Sequence, residues 1–221
     1  MAEYTNETLF EGIRNHTTFE TVYVDSGFST SGLGNDSGVG EGKVTVPKNA
    51  EANKAAWEKA YAEYGDRLGL KDKKAYLHFL GQIMHESGSF VYMEELASGK
   101  AYEGRKDLGN TQPGDGPRFK GRGPVQVTGR ANYKKIYDKF FKPNGLGQYD
   151  IVNNPQLASD PYIGSLLTFG WALTTRNGEL ALRACNAYDV KAATKAINGG
   201  YNGLKDREHK TAALLLQNNL A

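Results

Sequence analysis

The sequence predicts a mainly α-helical fold with long irregular loops, preceded by a short N-terminal segment that has room for one β-strand. Three observations carry this expectation. Apolar residues recur at helical spacing in several segments after residue 49, helix caps and stop signals bracket those segments, and residues 98–124 are too dense in glycine and proline to be helical. With 221 residues, 39% of them hydrophobic, the chain can enclose one substantial core.

The N-terminal segment differs from the rest in charge. Residues 1–50 carry three basic side chains (Arg14, Lys43, Lys48) against seven acidic ones (Glu3, Glu7, Glu11, Glu20, Asp25, Asp36, Glu41), a net −4, which leaves +6 for residues 51–221 and +2 overall. Thr18 to Val24 is β-branched and aromatic, as a strand requires. Six glycines among Ser, Thr, Asn and Asp follow between Asp25 and Lys43, the composition of a turn-rich loop or flexible linker. The chain therefore divides into an accessory segment or flap, residues 1–45, and a main domain, residues 46–221.

In the main domain, NAEANKAAWEKAYAEYG is alanine-rich, sets Trp57, Tyr61 and Tyr64 on one face and stops at Gly65. Asp72 can cap a second helix, in which Tyr76, Leu80, Ile83 and Ser87 share a stripe flanked by Leu77 and Met84, and which ends at Glu86 or Ser87 before Gly88. Trp57 and Trp171 fall in apolar stripes and read as core. Further helices are expected over RANYKKIYDKFF, from Asp160-Pro161 through Trp171, from Asp189 to Ile197 before Gly199-Gly200, and from Leu204 to Leu220, where His209 falls on the polar side.

Several function classes are excluded or demoted. A net +2 lacks the basic excess of a dedicated nucleic-acid binder. No run approaches the roughly 18 to 20 apolar residues of a membrane span, and the first residues lack a signal peptide's basic and apolar regions, so stable membrane insertion is not expected and synthesis in a reducing host cytoplasm is. The lone Cys185 permits no intramolecular disulfide and no multi-cysteine metal site, and in ELALRACNAY it reads as a small buried side chain. Gly32-Leu33-Gly34-Asn35-Asp36-Ser37-Gly38 places its third glycine one position late for a dinucleotide-binding loop, and His85-Glu86 opens like the zinc-protease motif HExxH but has Ser89 where the second imidazole belongs. There is no GxSxG. Neither cofactor nor metal is expected.

Carboxylates remain. Glu86, flanked by Met84 and Phe90 at the end of an apolar helix, is placed for partial desolvation, which suits a proton donor. Glu94 and Glu95 follow a helix-breaking glycine, so the chain can fold back and aim a second carboxylate across a cleft, the separated pair that glycoside hydrolysis needs. Taken alone, that pair is equally what a solvated surface would carry.

The blocks HFLGQIMHESGSFVYMEEL and GNTQPGDGPRFKGRGPVQVTGRANY resemble glycoside hydrolase family 19, the lysozyme-like chitinases, and most closely its bacterial and bacteriophage endolysin branch; the likeness covers roughly residues 46–221. It implies a bilobal lysozyme-like domain. Under it, Glu86 matches the general acid, Glu95 the general base with Glu94 the weaker candidate, and Thr128 the hydroxyl that helps hold the attacking water. Gln126, Asn132 and Tyr133 match residues lining the sugar cleft, Arg122 an arginine near its floor, Asn198 the INGG turn, and Arg207 a basic residue that tethers the carboxylates. His85 is a cleft residue or a buried hydrogen-bonding one, and Tyr102 a sugar platform or a loop anchor.

The resemblance implies a monomeric endolysin that hydrolyses the β-1,4 bond of peptidoglycan by an inverting acid/base mechanism, acting on the cell wall after release. A chitinase acting on N-acetylglucosamine polymers is the near alternative, and a non-catalytic saccharide-binding wall protein the alternative from another class.

Overall fold

The computed structural model describes residues 48–221. The expected strand at 18–24, the glycine-rich linker and the accessory role of residues 1–45 lie outside the described residues. The helices are α1 (Lys48–Tyr64), α2 (Lys73–Glu86), the single turn α3 (Asp115–Arg118), α4 (Arg130–Ile136), α5 (Pro161–Thr174), α6 (Arg176–Asn186), α7 (Val190–Asn198) and α8 (Leu204–Gln217). Among the described residues, β pairing is limited to two isolated antiparallel bridges, Glu94 with Arg122 and Arg122 with Val127. No helix there is long and apolar enough to cross a membrane.

Local chemistry sets the helix starts. Asp72 Oδ1 accepts the Ala75 N–H at 2.8 Å, Asp160 Oδ1 accepts those of Tyr162 and Ile163 at 3.0 and 3.1 Å ahead of Pro161, and Asp189 Oδ1 accepts that of Ala192 at 2.8 Å. Each side chain satisfies a donor that the first helical turn leaves unpaired. Helix α6 is absent from the sequence expectation. One residue, Thr175, both ends α5 and caps α6 through its Oγ1, 3.0 Å from the Gly178 N–H. With no linker the two periodicities run together, and a glycine in the first turn lowers helix propensity. The segment RANYKKIYDKFF also departs from a single helix: α4 widens into a π turn at Tyr137–Phe141, and the adjacent Phe140 and Phe141 are both buried.

Helix α2 is the hub. Every residue from Ala75 to Met84 is buried, so the expected stripe is a helix enclosed on all sides, packed by α8, α6 and α7. On the other side α1 lies on α5, and Trp57 joins them, its ring 4.8 Å from Phe169, 5.7 Å from Phe90 and 6.2 Å from Phe79. Trp57 is thus core as expected, whereas Trp171 is only half-buried at the core margin. Cys185 is buried, which pushes its thiol up to about 12, and His209 is exposed. Burying a large apolar side chain is worth roughly 1.5–3 kcal/mol.

Helices α2 and α8 approach closely at Gly81, where a β-carbon would lie 2.2 Å from Thr211 Oγ1 and 3.2 Å from Thr211 Cα. Alanine is the better helix former by about 1 kcal/mol, yet it has no space here. Gly81→Ala is expected to destabilise the protein by about 1–3 kcal/mol, read as a lower urea midpoint at constant m-value; an unchanged midpoint would mean that the α2–α8 contact yields freely.

Candidate active site

Glu86 is the last residue of α2, with a side chain one-fifth exposed. Its partly buried carboxylate is held by Arg207 of α8, whose Nη2 donates to Glu86 Oε1. Arg207 is fully buried, so each donor needs a partner. Nη1 meets Gln82 Oε1 at 2.8 Å and Nε the Asn202 carbonyl at 3.4 Å. Gln82 is held in turn by Val190 O and Thr194 Oγ1 of α7, at 3.3 and 3.4 Å. Arg207 therefore contacts the carboxylate and no solvent.

Beside this pair, His85 Nδ1 lies 2.6 Å from Asp206 Oδ2, and Lys210 pairs with the same oxygen. Burial pulls the Asp206 carboxyl up, but the bonds from His85 and Lys210 outweigh it and hold it below the ordinary value. His85 therefore makes a hydrogen bond while keeping a quarter of its side chain exposed, with its ring against Gly203. Gly203 has φ 70°, and a β-carbon there would fall 2.1 Å from His85 Cε1, so only glycine fits.

The second carboxylate is built by the loop after α2. Glu95 N–H donates to Gly121 O at 2.9 Å, Glu95 Oε2 accepts the Gly121 N–H at 3.0 Å, and Glu95 Oε1 accepts the Tyr102 hydroxyl at 3.0 Å. Its neighbour Glu94 turns the other way, into Lys120 at 3.2 Å and Arg122 at 3.1 Å. Burial raises Glu94, yet hydrogen bonds from Ser159 and Lys120 and the Arg122 charge hold it below the usual carboxylate value. Of the two glutamates left open by the sequence, Glu94 is committed to an ion-pair cluster and Glu95 keeps neutral donors. Tyr102 is thus a contact of the carboxylate, its phenol raised by burial and by its bond to Glu95.

Gln126 and Thr128 come to the same place. Gln126 has φ 53°, a left-handed conformation unusual for a side-chain-bearing residue. A β-carbon on Gly121 would sit 2.8 Å from Gln126 Oε1 and 3.3 Å from Glu95 Oε2, so both side chains lie against that glycine. Thr128 Oγ1 donates to Gln126 O at 3.0 Å, and Asn132 Nδ2 donates to Thr128 O at 2.8 Å.

Two residues expected at the cleft are buried beneath the loop. Arg122, 5% exposed, places its donors on Ser159 Oγ at 3.0 Å, Arg118 O at 2.9 Å, Tyr133 hydroxyl at 3.3 Å and Glu94. Tyr133 is fully buried, edge-on to Phe119, with its phenol pushed up to about 12 by burial. Both are pillars under the loop, since Tyr133 is sealed from solvent and Arg122 nearly so. Asn198 is exposed at the end of α7.

Some supporting residues escaped the sequence reading. Gln82 and Glu86 are one helical turn apart, a spacing that lets one arginine bridge both, and this is the signal that could have found Gln82. Asn110, fully buried, donates to Tyr102 O at 2.9 Å and accepts the Arg130 N–H at 2.9 Å. Glu103 accepts the Gly114 and Gly116 N–H groups at 2.6 and 2.7 Å, and Arg130 Nε donates to buried Asp115 at 2.9 Å. These staples shape a loop whose sequence shows only breakers.

No protein-family model matches the chain. Among curated proteins it is 27% identical over 188 residues to a glycosyl hydrolase family 19 domain-containing protein of Haemophilus influenzae, covering 70% of this chain and 85% of that protein. It is 35% identical over 133 residues to an endochitinase of Arabidopsis thaliana, covering 60% of this chain, and 36% identical over 108 residues to an acidic 27 kDa endochitinase of Solanum lycopersicum, covering 48%. The matches span 41% and 38% of those two plant proteins, so less than half of each has a counterpart here. Among solved structures, chitinase C from Streptomyces griseus superposes with a TM-score of 0.56 at 20% identity, over 81% of this chain and 95% of that one. A bacterial family 19 chitinase gives 0.54 at 23% identity, over 72% and 85%. The fold is thus the mostly helical, lysozyme-like class to which these chitinases belong. The sequence is thus similar to glycosyl hydrolase family 19 proteins, and the superposition shows a fold shared with chitinases of that family.

The polar staples carry a pH dependence. Arg130's hydrogen bonds hold the Asp115 carboxyl below the usual range, against the pull of burial and with help from the Gln112 N–H. A carboxyl depressed in the folded state contributes stability that is present above its unfolded value, about 3.9, and is lost as pH falls through the folded one. The melting temperature is expected to fall as pH drops below about 4, and Asp115→Asn to lower it at neutral pH while flattening that acid limb. An acid limb as steep as wild type in the variant would remove Asp115 as a source.

Proposed function

We propose that this protein is a peptidoglycan-cleaving glycosidase that hydrolyses the β-1,4 bond between amino sugars by inversion, with Glu86 as general acid and Glu95 as general base. One observation carries the reading: two partly exposed carboxylates on either side of one short segment are held by different partners, Glu86 by a buried arginine and Glu95 by a phenol and a backbone amide. In the proposed step Glu86 gives its proton to the glycosidic oxygen as that bond to the anomeric carbon breaks. Glu95 takes a proton from a water whose oxygen bonds to the same carbon from the opposite face. Arg207 remains on Glu86 to balance the carboxylate left after transfer. Thr128, whose hydroxyl proton points at Gln126 O, offers its lone pairs to that water.

Peptidoglycan is favoured over chitin by three features: the net positive charge of residues 51–221 suits an anionic wall, the GRGPVQVTGRANY block resembles endolysins, and Ala97 and Ser98 beyond Glu95 are small and exposed, leaving room for the lactyl group and peptide of muramic acid. The chitinase reading rests on the names of the plant relatives and the structural neighbours. The monomeric state, delivery to the wall from a host cytoplasm, and residues 1–45 as an accessory wall-binding or attachment segment belong to the same proposal.

Glu86→Gln is close to isosteric and cannot donate the proton, so cleavage should fall by roughly 10² to 10⁴ with the circular dichroism spectrum unchanged. A variant keeping more than about a tenth of wild-type activity would remove Glu86 from this role, and binding without cleavage by the wild-type protein would leave the non-catalytic reading. Borohydride reduction of a peptidoglycan digest should yield muramitol at the new ends; glucosaminitol, or chitin oligomers released at a comparable rate, would move the protein to the chitinase reading.

A further inference from the structure

Between Glu86 and Glu95 the backbone takes a course that the sequence alone disfavours. Gly88, Ser89 and Phe90 have φ of 55°, 59° and 68°, one residue after another in the left-handed region, and two of them carry side chains. A bulky residue stays there only where its surroundings over-determine it. Local bonds supply part of the restraint: Ser89 N–H to Met84 O at 2.7 Å, Phe90 N–H to Ser87 Oγ at 2.8 Å, and Tyr92 N–H to Ser87 O at 2.9 Å.

The remaining restraint comes from α1, far away in sequence. Asn53, 7% exposed, donates Nδ2 to the Phe90 carbonyl at 2.7 Å. One turn on, Trp57 packs its ring 5.7 Å from the ring of Phe90. One turn back, Asn49 reaches Val91 O at 3.5 Å in an exposed position. One face of α1 thus grips the carbonyl and the ring of the same strained residue. Beyond it the chain is tied down again, Met93 O accepting the Gly123 N–H at 2.8 Å before Glu95 meets Gly121.

We propose that Asn53 is a positioning residue for the reaction: its amide clamps the left-handed turn at Gly88–Phe90 and so sets the placement of Glu95 relative to Glu86. The proposal rests on the assignment of those two glutamates as acid and base. The side chain of Asn53 acts through the Phe90 carbonyl and needs no contact with sugar. Its loss lets the turn relax, and a displacement of about 1 Å at a reacting group can cost on the order of 10²-fold in rate.

The test uses the full chain, with kinetics on soluble peptidoglycan fragments normalised to the folded fraction from near-ultraviolet circular dichroism. Asn53→Ala removes the donor, and Asn53→Asp keeps the size but cannot donate to a carbonyl. Both are expected to lower kcat by about 10- to 100-fold with KM within about twofold, whereas Asn49→Ala on the same helix face leaves both near wild type. A folded Asn53 variant with unchanged kcat overturns the proposal, as does a loss that tracks only the folded fraction. Failure of both Asn53 variants to fold makes the residue a stability element and overturns it too. Activity retained by Glu86→Gln would instead point to failure of the underlying assignment, so the two failures are distinguishable.

Discussion

A guanidinium sealed from solvent has to place its donors on protein acceptors, and Arg207 places them on Glu86, Gln82 and the Asn202 carbonyl. Much of the site follows from that. Gln82 must present its oxygen to the arginine, so its amide turns to α7; the loop before α8 must bring a carbonyl inward, so Gly203 is forced against His85. Removing one partner of such a buried pair leaves the other uncompensated, typically at a cost of about 3–5 kcal/mol. The carboxylate and the packing of α2, α7 and α8 are therefore one construction.

The opposite side is assembled on another principle. Where α2 is enclosed by apolar side chains, the 98–124 loop is held by carboxylates and amides that receive backbone donors: Glu103 for Gly114 and Gly116, Asn110 for Arg130, Asp115 for Gln112. A stretch so rich in glycine has few side chains to bury, so its order comes from satisfied hydrogen bonds. The glutamate on this side is fixed by the same means, through the Gly121 amide and the Tyr102 hydroxyl.

How much of this could be read in advance depended on distance along the chain. The starts of α2, α5 and α7 were legible because Asp72, Asp160 and Asp189 act on residues two or three positions away. Helix α6 was hidden by the shared Thr175, where two elements meet without a linker. Glu86 and Glu95 stood out through the family likeness of their blocks, since two glutamates near a glycine are common on any surface. The burial of Arg122 and Tyr133 was not legible because nothing local records their partners, Ser159 and Lys120 among them. Asn53 was invisible for the same reason: its one informative contact lies 37 residues away.

The pair of adjacent glutamates has a further consequence. Neighbouring residues in an extended segment face opposite sides, so the bridge between Glu94 and Arg122 that sends one carboxylate into the ion-pair cluster is what sends the next toward Tyr102. The two duties are divided by register alone. A one-residue slip at that bridge would exchange the two faces without altering the chemistry of any side chain. The spacing along this stretch is therefore as much a part of the site as the side chains, with the left-handed turn at Gly88–Phe90 fixing one end and the bridge to Arg122 the other.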